Sequence, residues 1–144
     1  MPQALFQLSD QIFDPATLRQ ELRVTSAGAY VSFEGWVRDN HAGRSVTSLS
    51  YHAHPALAVI EGERVLQDAL RAFAVKDARC VHRVGALQLS ELAVWVGVSA
   101  SHRDAAFAAT RFIIDEIKAR VPIWKQEYYA EKASQWLHQN PASS

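Results

Sequence analysis

The sequence lacks several features that mark large classes of protein. It has one cysteine, Cys80, so it forms no internal disulfide, which fits a reducing compartment. No apolar run approaches the roughly 20 residues that span a bilayer. The first residues, Met1 to Ala4, lack the basic region of a secretory signal peptide. Together these absences predict a cytoplasmic protein that does not enter a membrane.

Net charge and the familiar catalytic motifs are missing as well. The 15 Lys and Arg residues balance 15 Asp and Glu residues. That balance argues against nucleic acid or an anionic membrane as the partner, because both need a basic surface. The sequence has no glycine-rich phosphate loop, no nucleophile elbow and no His-Glu-x-x-His motif. Any site must therefore be found from its residues and their positions.

What is present is a composition suited to one packed domain. Hydrophobic residues make up 49% of the 144 residues, with four Trp and six Phe among them. Alternating apolar residues predict strands, and residues 92–99 are apolar enough on both faces to be central in a sheet. Residues 46–51 are expected to form a hairpin with residues 29–37. The strands predicted in this way cover residues 5–8, 29–37, 46–51, 80–84, 92–99 and 123–129.

Helices are predicted between these strands from their start and stop signals. Asp14 followed by Pro15 is a typical helix start, and Pro55 begins a second helix. Ser101 is expected to cap the third helix, which Pro122 ends. The order predicts an α+β domain over residues 1–137 and a flexible tail at 138–144.

Charged residues at the start of the third helix form the first candidate site. His102 and Arg103 fall in its first turn, where backbone N–H groups and the helix dipole favour an anion such as phosphate. The simpler alternative, in which Arg103 pairs with Asp104 or a surface Glu and His102 is solvated, stays open on position alone.

A second candidate site lies where this helix ends. Lys118 continues a stripe with Phe107 and Ile114, so its ammonium is expected at a partly apolar edge. Such surroundings lower a lysine pKa and suit acid–base chemistry, although a cation at a helix C-terminus is also favoured by the dipole alone. Lys125 and Glu127 share one face of the following strand and are compatible with a solvated ion pair.

Three further groups of residues are weaker candidates. Arg38 lies in a loop after a strand, a common position both for anion-binding side chains and for solvated charges. His52 and His54 share one side of a strand end but lack a third ligand, so no metal site is predicted. Cys80 lies in an apolar strand and is expected in the core rather than at a reactive site.

Taken together, these segments resemble the large, catalytic subunit of molybdopterin synthase through nearly the whole chain. The most specific blocks are Ser101-His102-Arg103 at the helix start and the pattern Lys-x-Arg-x-Pro-x-Trp-Lys-x-Glu at residues 118–127. Further matching blocks are Phe33-Glu34-Gly35-Trp36-Val37-Arg38, His82-Arg83-Val84-Gly85 and Phe112-Ile113-Ile114-Asp115.

The resemblance implies an α/β hammerhead-type fold with antiparallel hairpins and packed helices, and it implies sulfurtransferase activity. In that reaction a small ubiquitin-like sulfur-carrier subunit brings a thiocarboxylate on its C-terminal Gly-Gly. Two sulfurs are inserted into cyclic pyranopterin monophosphate (precursor Z) to form the dithiolene of molybdopterin. The resemblance also implies a homodimer that binds two carriers as a heterotetramer. Large apolar strand residues, Trp36 and Trp95 among them, likewise predict an interface.

The family's functional residues can be carried over by position. They fall on Lys118 and Lys125 as catalytic lysines, on Arg38, His102 and Arg103 as anion-binding residues, and on Glu127 as a supporting carboxylate. The resemblance implies no cofactor and no metal, since molybdenum would enter after the dithiolene exists. Two alternatives keep the same fold. One is a non-catalytic anion- or nucleotide-binding module, favoured if Lys118 and Lys125 face apart, and the other is a scaffold, which the matched cationic residues disfavour.

Overall fold

The computed structural model of the chain describes residues 3–130 and 135–138, which form three helices and nine strands. The helices are α1 (Pro15–Glu21), α2 (Pro55–Ala72) and α3 (Arg103–Arg120). The strands are β1 (Phe6–Ser9), β2 (Ala29–Trp36), β3 (Asn40–His41), β4 (Arg44–Ala53), β5 (Val75–Arg83), β6 (Gly85–Gln88), β7 (Leu92–Ala100), β8 (Ile123–Tyr129) and β9 (Gln135–His138). Residues 139–144 of the expected tail lie outside the described residues. The mixture of helices and strands agrees with the predicted α+β class.

The first sheet has four strands in the order β1-β5-β7-β2. β1 runs parallel to β5, whereas the pairs β5–β7 and β7–β2 are antiparallel. β7 is therefore an interior strand, as its apolar sequence predicts, and it is buried along nearly its whole length. β2 is an edge strand, and Val31, Ser32 and Phe33 of β2 line a groove together with residues of α3.

Helices cover both faces of this sheet. The apolar faces of α2 and α3 pack on one side, where Val96 and Val98 of β7 meet Ile113 and Ile117 of α3 in the main core. Cys80 is in the same core, as expected. On the other side, Leu22 after α1 packs with Val81 and Trp95. Trp95 is fully buried there, so the expectation that it forms part of an exposed apolar patch is wrong.

The second sheet is built around β4 and β8. Its order is β3-β4-β8-β9, and β6 also pairs with β4. Four buried apolar residues fill the space where this sheet meets the first one: Val37, Leu49, Leu87 and Ala93. Val37 follows β2 and Ala93 is in β7, so both come from the first sheet. Leu49 in β4 and Leu87 in β6 come from the second sheet. This small core therefore joins the two sheets.

The predicted hairpin between residues 29–37 and 46–51 does not form. β2 pairs with β7 through eight residues from Ala29 to Trp36, and β4 pairs with β8. The hairpin in this region is instead the short β3–β4 pair, closed by Ala42 and Gly43 with positive φ of 50° and 78°. Two positive φ values in a two-residue turn match the twist of the flanking strands. The turn therefore pairs β4 with β3, whereas β2 pairs with β7 in the first sheet.

The helix starts agree with the sequence in two cases and differ in one. The Asp14 carboxylate accepts from the Ala16 N–H at 3.0 Å and caps α1. His54, expected at a strand end, caps α2 by accepting from the Leu57 N–H through Nδ1 at 3.2 Å. The expected Ser101 cap of α3 is wrong.

His102 is the N-cap of α3, and its side chain makes no capping hydrogen bond. The reason lies in the strand before the helix. The Gly28 N–H donates to the Ala100 carbonyl at 3.0 Å, and a Cβ at Gly28 would lie 2.7 Å from the Ser101 oxygen. The Gly28 loop thus packs against Ala100 and Ser101, and the helix begins only after His102.

Candidate active site

A cleft of about 290 Å³ opens where the two sheets and the end of α3 meet. The end of β2 and the residues after it form one wall, β4 and β8 form the floor, and the last turn of α3 closes the third side. The charged residues that line it are Arg38, Lys118, Lys125 and Glu127. Four of the six residues predicted as a site therefore share one cavity.

Lys118 reaches the cleft from the last turn of α3 and is half-buried. Its pKa is lowered from the ordinary lysine value, mainly because burial disfavours the charged form. The nearby cations of Lys125 and Arg38 lower the pKa further, and Asp115 opposes the shift. The predicted position at a partly apolar edge is confirmed, since Phe33 and Val94 line the same cleft.

Lys125 reaches the cleft from β8. Side chains of β8 alternate, and Ile123, Lys125, Glu127 and Tyr129 all point to the buried face. Lys125 is only 8% exposed, and its burial lowers its pKa, with Arg38 adding to the effect and Glu127 opposing it. The simple interpretation of Lys125 and Glu127 as a solvated ion pair is therefore wrong. The alternation of β8 shows that Lys125 and Glu127 share a face, but it does not show that this face is buried.

Glu127 is a buried carboxylate, 4% exposed, with its two oxygens engaged differently. Its Oε1 accepts from the Tyr129 hydroxyl at 2.9 Å and lies 3.8 Å from Nδ1 of His41. Its Oε2 lies 4.0 Å from Nζ of Lys125. The Arg44 guanidinium stacks 3.7 Å above the Tyr129 ring, which holds the hydroxyl donor beside Glu127.

Two tyrosines of this site were not singled out from the sequence. Tyr51 lies opposite Lys125 in the β4–β8 register and lines the cleft. Burial first and Glu127 second raise the pKa of Tyr51 to about 12, and burial together with Glu127 raises that of Tyr129. Both phenols therefore stay neutral around pH 7. The inward alternation of β8 already indicates Tyr129, whereas Tyr51 becomes visible only when β4 is paired with β8.

Arg38 lies just after β2 and is exposed at the mouth of the cleft. Its charge acts on both lysines, as the lowered pKa values of Lys118 and Lys125 record. Arg38 is therefore solvent-exposed but not isolated, because it lines the same cleft as both lysines. Three cations at one cleft create a field that attracts an anionic ligand.

His102 and Arg103 lie elsewhere in the same chain. They begin α3, whereas Lys118 is in its last turn, and at about 1.5 Å per residue the helix separates them by roughly 24 Å. His102 lines a different cavity together with Lys76. Within one chain, the structure does not bring these two residues to the cleft.

Neither a metal-binding cluster nor a membrane-spanning helix is found among the described residues. No group of three or more His, Cys, Asp or Glu side chains there is suited to hold a metal ion. No helix of that part of the chain is both long and apolar enough to cross a membrane. The described cleft offers three cations, the Glu127 carboxylate and the neutral phenol of Tyr51, and the Tyr129 hydroxyl is bonded to that carboxylate.

The family model described as MoaE protein matches residues 8–120. The chain belongs to the MoaE family. The match includes Arg38, His102, Arg103 and Lys118, and it ends before Lys125.

Curated relatives extend the family match toward the C-terminus. The molybdopterin synthase catalytic subunit of Thermoplasma volcanium is 37% identical over 130 residues, which is 90% of this chain and 95% of the relative. That of Pyrococcus abyssi is 46% identical over 103 residues, which is 72% of this chain and 70% of the relative. MoaE family members of this kind are thus catalytic subunits of an enzyme in molybdopterin synthesis.

Solved structures agree with the fold. Molybdopterin synthase from Staphylococcus aureus superposes with a TM-score of 0.87 at 30% identity, covering 94% of this chain and 98% of that one. A complex of subunits 1 and 2 of molybdopterin-converting factor from Helicobacter pylori gives a TM-score of 0.75 at 20% identity, covering 97% and 93%. The second likeness concerns the fold alone.

Proposed function

We propose that this MoaE family member catalyses sulfur insertion as the catalytic subunit of a molybdopterin synthase. Its substrate is cyclic pyranopterin monophosphate (precursor Z), and its sulfur donor is the C-terminal thiocarboxylate of a small ubiquitin-like carrier subunit. The observation that carries the proposal is the meeting of Lys118, Lys125 and Arg38 with the buried Glu127 in one cleft. A non-catalytic binding module would be favoured by lysines that face apart, and these two face the same cavity.

The positive charges of Arg38, Lys118 and Lys125 offset the repulsion between the two anionic reactants. Both reactants are anions, and two unit charges about 4 Å apart repel by about 4 kcal/mol at an effective dielectric of about 20. Arg38 at the cleft mouth suits the phosphate, because its planar guanidinium binds two oxygens at once. The lysines then compensate charge at the reacting carbons. The cleft thereby brings together two reactants that would otherwise repel each other.

The lowered lysine pKa values suit proton transfer. A lysine whose charged form is disfavoured by burial gives up its proton more readily than one in water, and it takes a proton back as charge develops on the substrate. In our proposal, sulfur of the thiocarboxylate bonds to a substrate carbon as a carbon–oxygen bond at that carbon breaks, and the oxygen leaves as the opened cyclic phosphate or, once protonated, as water. Water then cleaves the acyl–sulfur bond, which leaves the sulfur on the substrate and a carboxylate on the carrier. One lysine moves protons in these steps and the other stabilises the developing oxyanion or thiolate.

Glu127 and Tyr129 hold Lys125 in position. The Tyr129 hydroxyl holds Oε1, so Oε2 stays directed toward Lys125. A carboxylate at this distance favours the ammonium form and balances the desolvation of the buried lysine. We propose Glu127 as the supporting residue on this basis.

His102 and Arg103 enter the proposal through a second copy of the chain. Since α3 separates them from Lys118 by roughly 24 Å, they reach a substrate in the cleft only from a partner protomer. A homodimer with two carrier subunits, a heterotetramer, therefore fits the residue set. Exposed Trp36 and Phe33 at the cleft, and exposed Phe107 in the adjoining groove, supply apolar surface for such contacts.

We further propose a cytoplasmic location for this reaction. The only cysteine, Cys80, is buried in the core, and burial raises the pKa of its thiol. The chain therefore carries no exposed thiol and no disulfide that an oxidising compartment would favour. Sulfur comes from the carrier, which agrees with an unreactive Cys80.

The test is turnover by Lys118→Ala and Lys125→Ala in the complex reconstituted with thiocarboxylated carrier. Each substitution should lower molybdopterin formation from precursor Z by about 100-fold or more, the usual scale for a lost acid–base group. The matched control is Arg64→Ala, an exposed cation of α2 that does not line the cleft. All three variants should fold, and Lys118→Ala and Arg64→Ala should melt close to the parent, whereas Lys125→Ala should melt lower because the buried Glu127 loses its cation. Near-normal turnover in both lysine variants would overturn the proposal.

A further inference from the structure

A second cavity, of about 460 Å³, lies at the opposite end of β2 from the reaction cleft. Its walls are the C-terminal end of α1, the loop at residues 24–28 and the first residues of β2. Ser99 of β7 lines it from the first sheet. The two cavities share no lining residue, so within one chain this cavity is separate from the reaction cleft.

Two arginines give the second cavity a positive charge. Arg19 lies in the last turn of α1 and Arg23 just after the helix, and both line this cavity. Neither guanidinium makes an ion pair or hydrogen bond with a described residue, and no described lining residue is acidic. The nearby Glu21 is engaged by Gln3 at 2.8 Å and by Arg79 at 3.4 Å. The two arginines are therefore available to an external anion.

A buried hydroxyl points to a ligand independently of the arginines. Ser99 is 2% exposed, and its Oγ has no hydrogen-bond partner among the described residues. Val98 and Ala100 on either side of it face the α2–α3 core, so Ser99 faces the α1 side, where the cavity lies. A buried hydroxyl without a partner destabilises the fold, and an oxygen-rich ligand would satisfy it.

The backbone around the cavity is held in place before any ligand arrives. The Gly28 N–H donates to the Ala100 carbonyl at 3.0 Å, which ties the loop to the end of β7. A side chain at Gly28 would collide with the Ser101 carbonyl, since a Cβ would lie 2.7 Å from that oxygen. Only glycine permits this close approach. A pre-formed site loses little conformational entropy when it binds.

We propose that this cavity binds a small ligand bearing a phosphate group. Arg19 and Arg23 would bind the phosphate oxygens through their N–H groups, and Ser99 would donate its hydroxyl to one of them. The volume exceeds that of phosphate alone and is within the range of small-molecule sites. Tyr30 in the wall is suited to pack on an attached ring. The ligand class is therefore a phosphorylated small molecule with a flat organic group.

The first test is a two-dimensional amide NMR titration of the full chain with inorganic phosphate and with pyrophosphate at constant ionic strength. Saturable shifts are expected at Thr25, Gly28 and Tyr30. The double variant Arg19→Ala/Arg23→Ala should weaken that binding by at least about tenfold, with Arg64→Ala as the control. The amide of Lys125 reports separately on anions in the reaction cleft. Absence of saturable shifts at the three amides, or equal affinity in the double variant, would overturn the proposal.

The second test separates a binding role for Ser99 from a structural one. Ser99→Ala should weaken phosphate binding several-fold, because one donor is lost. It should leave the melting temperature unchanged or higher, because a buried hydroxyl without a partner is removed. A lower melting temperature with unchanged affinity would contradict the proposal. Neither result depends on whether the chain catalyses sulfur transfer.

Discussion

At the residue scale, the chemistry depends on a small number of opposed charges within one cleft. Burial and the neighbouring cations favour neutral lysines, while Glu127 favours a protonated Lys125. These opposing effects hold the two lysines where a proton can be gained or lost at modest cost. Arg38 is the member of the set whose charge can be removed without disturbing the core, since it is exposed.

Arg38→Gln should shift the pH dependence of the reaction. The Arg38 cation lowers the pKa of Lys118 and of Lys125, so its removal raises both values. If a neutral lysine is the catalytic base, the rate falls as pH drops through its pKa, and the acid limb of kcat moves to higher pH in the variant. The measurement is kcat against pH at saturating substrate, with Arg64→Gln as the control. An unmoved limb, or one displaced to lower pH, would contradict the prediction.

Tyr129→Phe should destabilise the protein and slow turnover. The Tyr129 hydroxyl donates to the buried Glu127 carboxylate at 2.9 Å, and losing a hydrogen bond to a charged group costs about 1.5–3 kcal/mol. Because the pKa of Tyr129 is raised, the hydroxyl remains a donor throughout the neutral pH range.

The control for Tyr129→Phe is its neighbour on the same strand. Tyr128→Phe removes a hydroxyl from the exposed face of β8 and should change little. Urea denaturation and turnover measured side by side distinguish the two variants. Equal effects of both substitutions would show that the hydrogen bond to Glu127 has no special role.

At the element scale, the cleft exists because α3 ends where β8 begins. Pro122 stops the helix, and the Ile123 N–H already donates to the Val121 carbonyl at 2.8 Å in the turn that follows. β8 then runs along β4 with Lys125 directed inward. The tight connection places Lys118 of the helix and Lys125 of the strand at one cavity. The position of α3 depends in turn on its packing against α2 and the first sheet.

Gly62→Ala should test that packing. Gly62 in α2 faces Phe6 of β1, and a Cβ at this position would lie 2.3 Å from the phenyl ring. Alanine gains about 1 kcal/mol over glycine in helix propensity, whereas overpacking a core typically costs about 1–3 kcal/mol. We expect the clash to outweigh the propensity because Phe6 is itself buried.

The measurement is the free energy of unfolding in urea, and Gln67→Ala on the exposed side of α2 is the control. The control should be neutral or slightly stabilising. A Gly62→Ala variant at least as stable as the parent would show that Phe6 and α2 can move apart at little cost.

At the scale of the whole molecule, the proposed residue set is completed by assembly. One chain offers a cleft with Lys118 at one end of α3 and His102 with Arg103 at the other. A twofold dimer can place the helix start of one protomer at the cleft of its partner, since each contact of such a dimer occurs twice. Assembly therefore decides whether the anion-binding residues reach the substrate.

Mixed dimers test this arrangement directly. Lys118→Ala and Arg103→Ala chains, co-expressed with different tags and purified as mixed dimers, should recover about half of the wild-type rate. One site then contains both substitutions, and the other contains neither. Mixed dimers of Lys118→Ala with Lys125→Ala should show no recovery, because both lysines belong to the cleft of one chain. Light scattering checks the dimer mass, and inactive Lys118/Arg103 mixed dimers would contradict the arrangement.

Much of this protein follows from its sequence because the decisive signals are local. Asp14, Pro55 and Pro122 set helix limits, the apolar residues of β7 mark an interior strand, and the alternation in β8 shows which of its side chains share a face. Lys118, Lys125, Arg38 and Glu127 were all named from position and resemblance, and all four line the cleft.

Tertiary structure decided what depends on partners distant in sequence. Strand periodicity is the same whichever strand lies alongside, so the sequence did not reveal that β2 pairs with β7 rather than β4. Likewise, packing between elements sets the burial of Glu127, the position of Tyr51 in the cleft wall and the separation of His102 from Lys118. Local pattern determines which face of an element is apolar, and only the folded chain determines what that face meets.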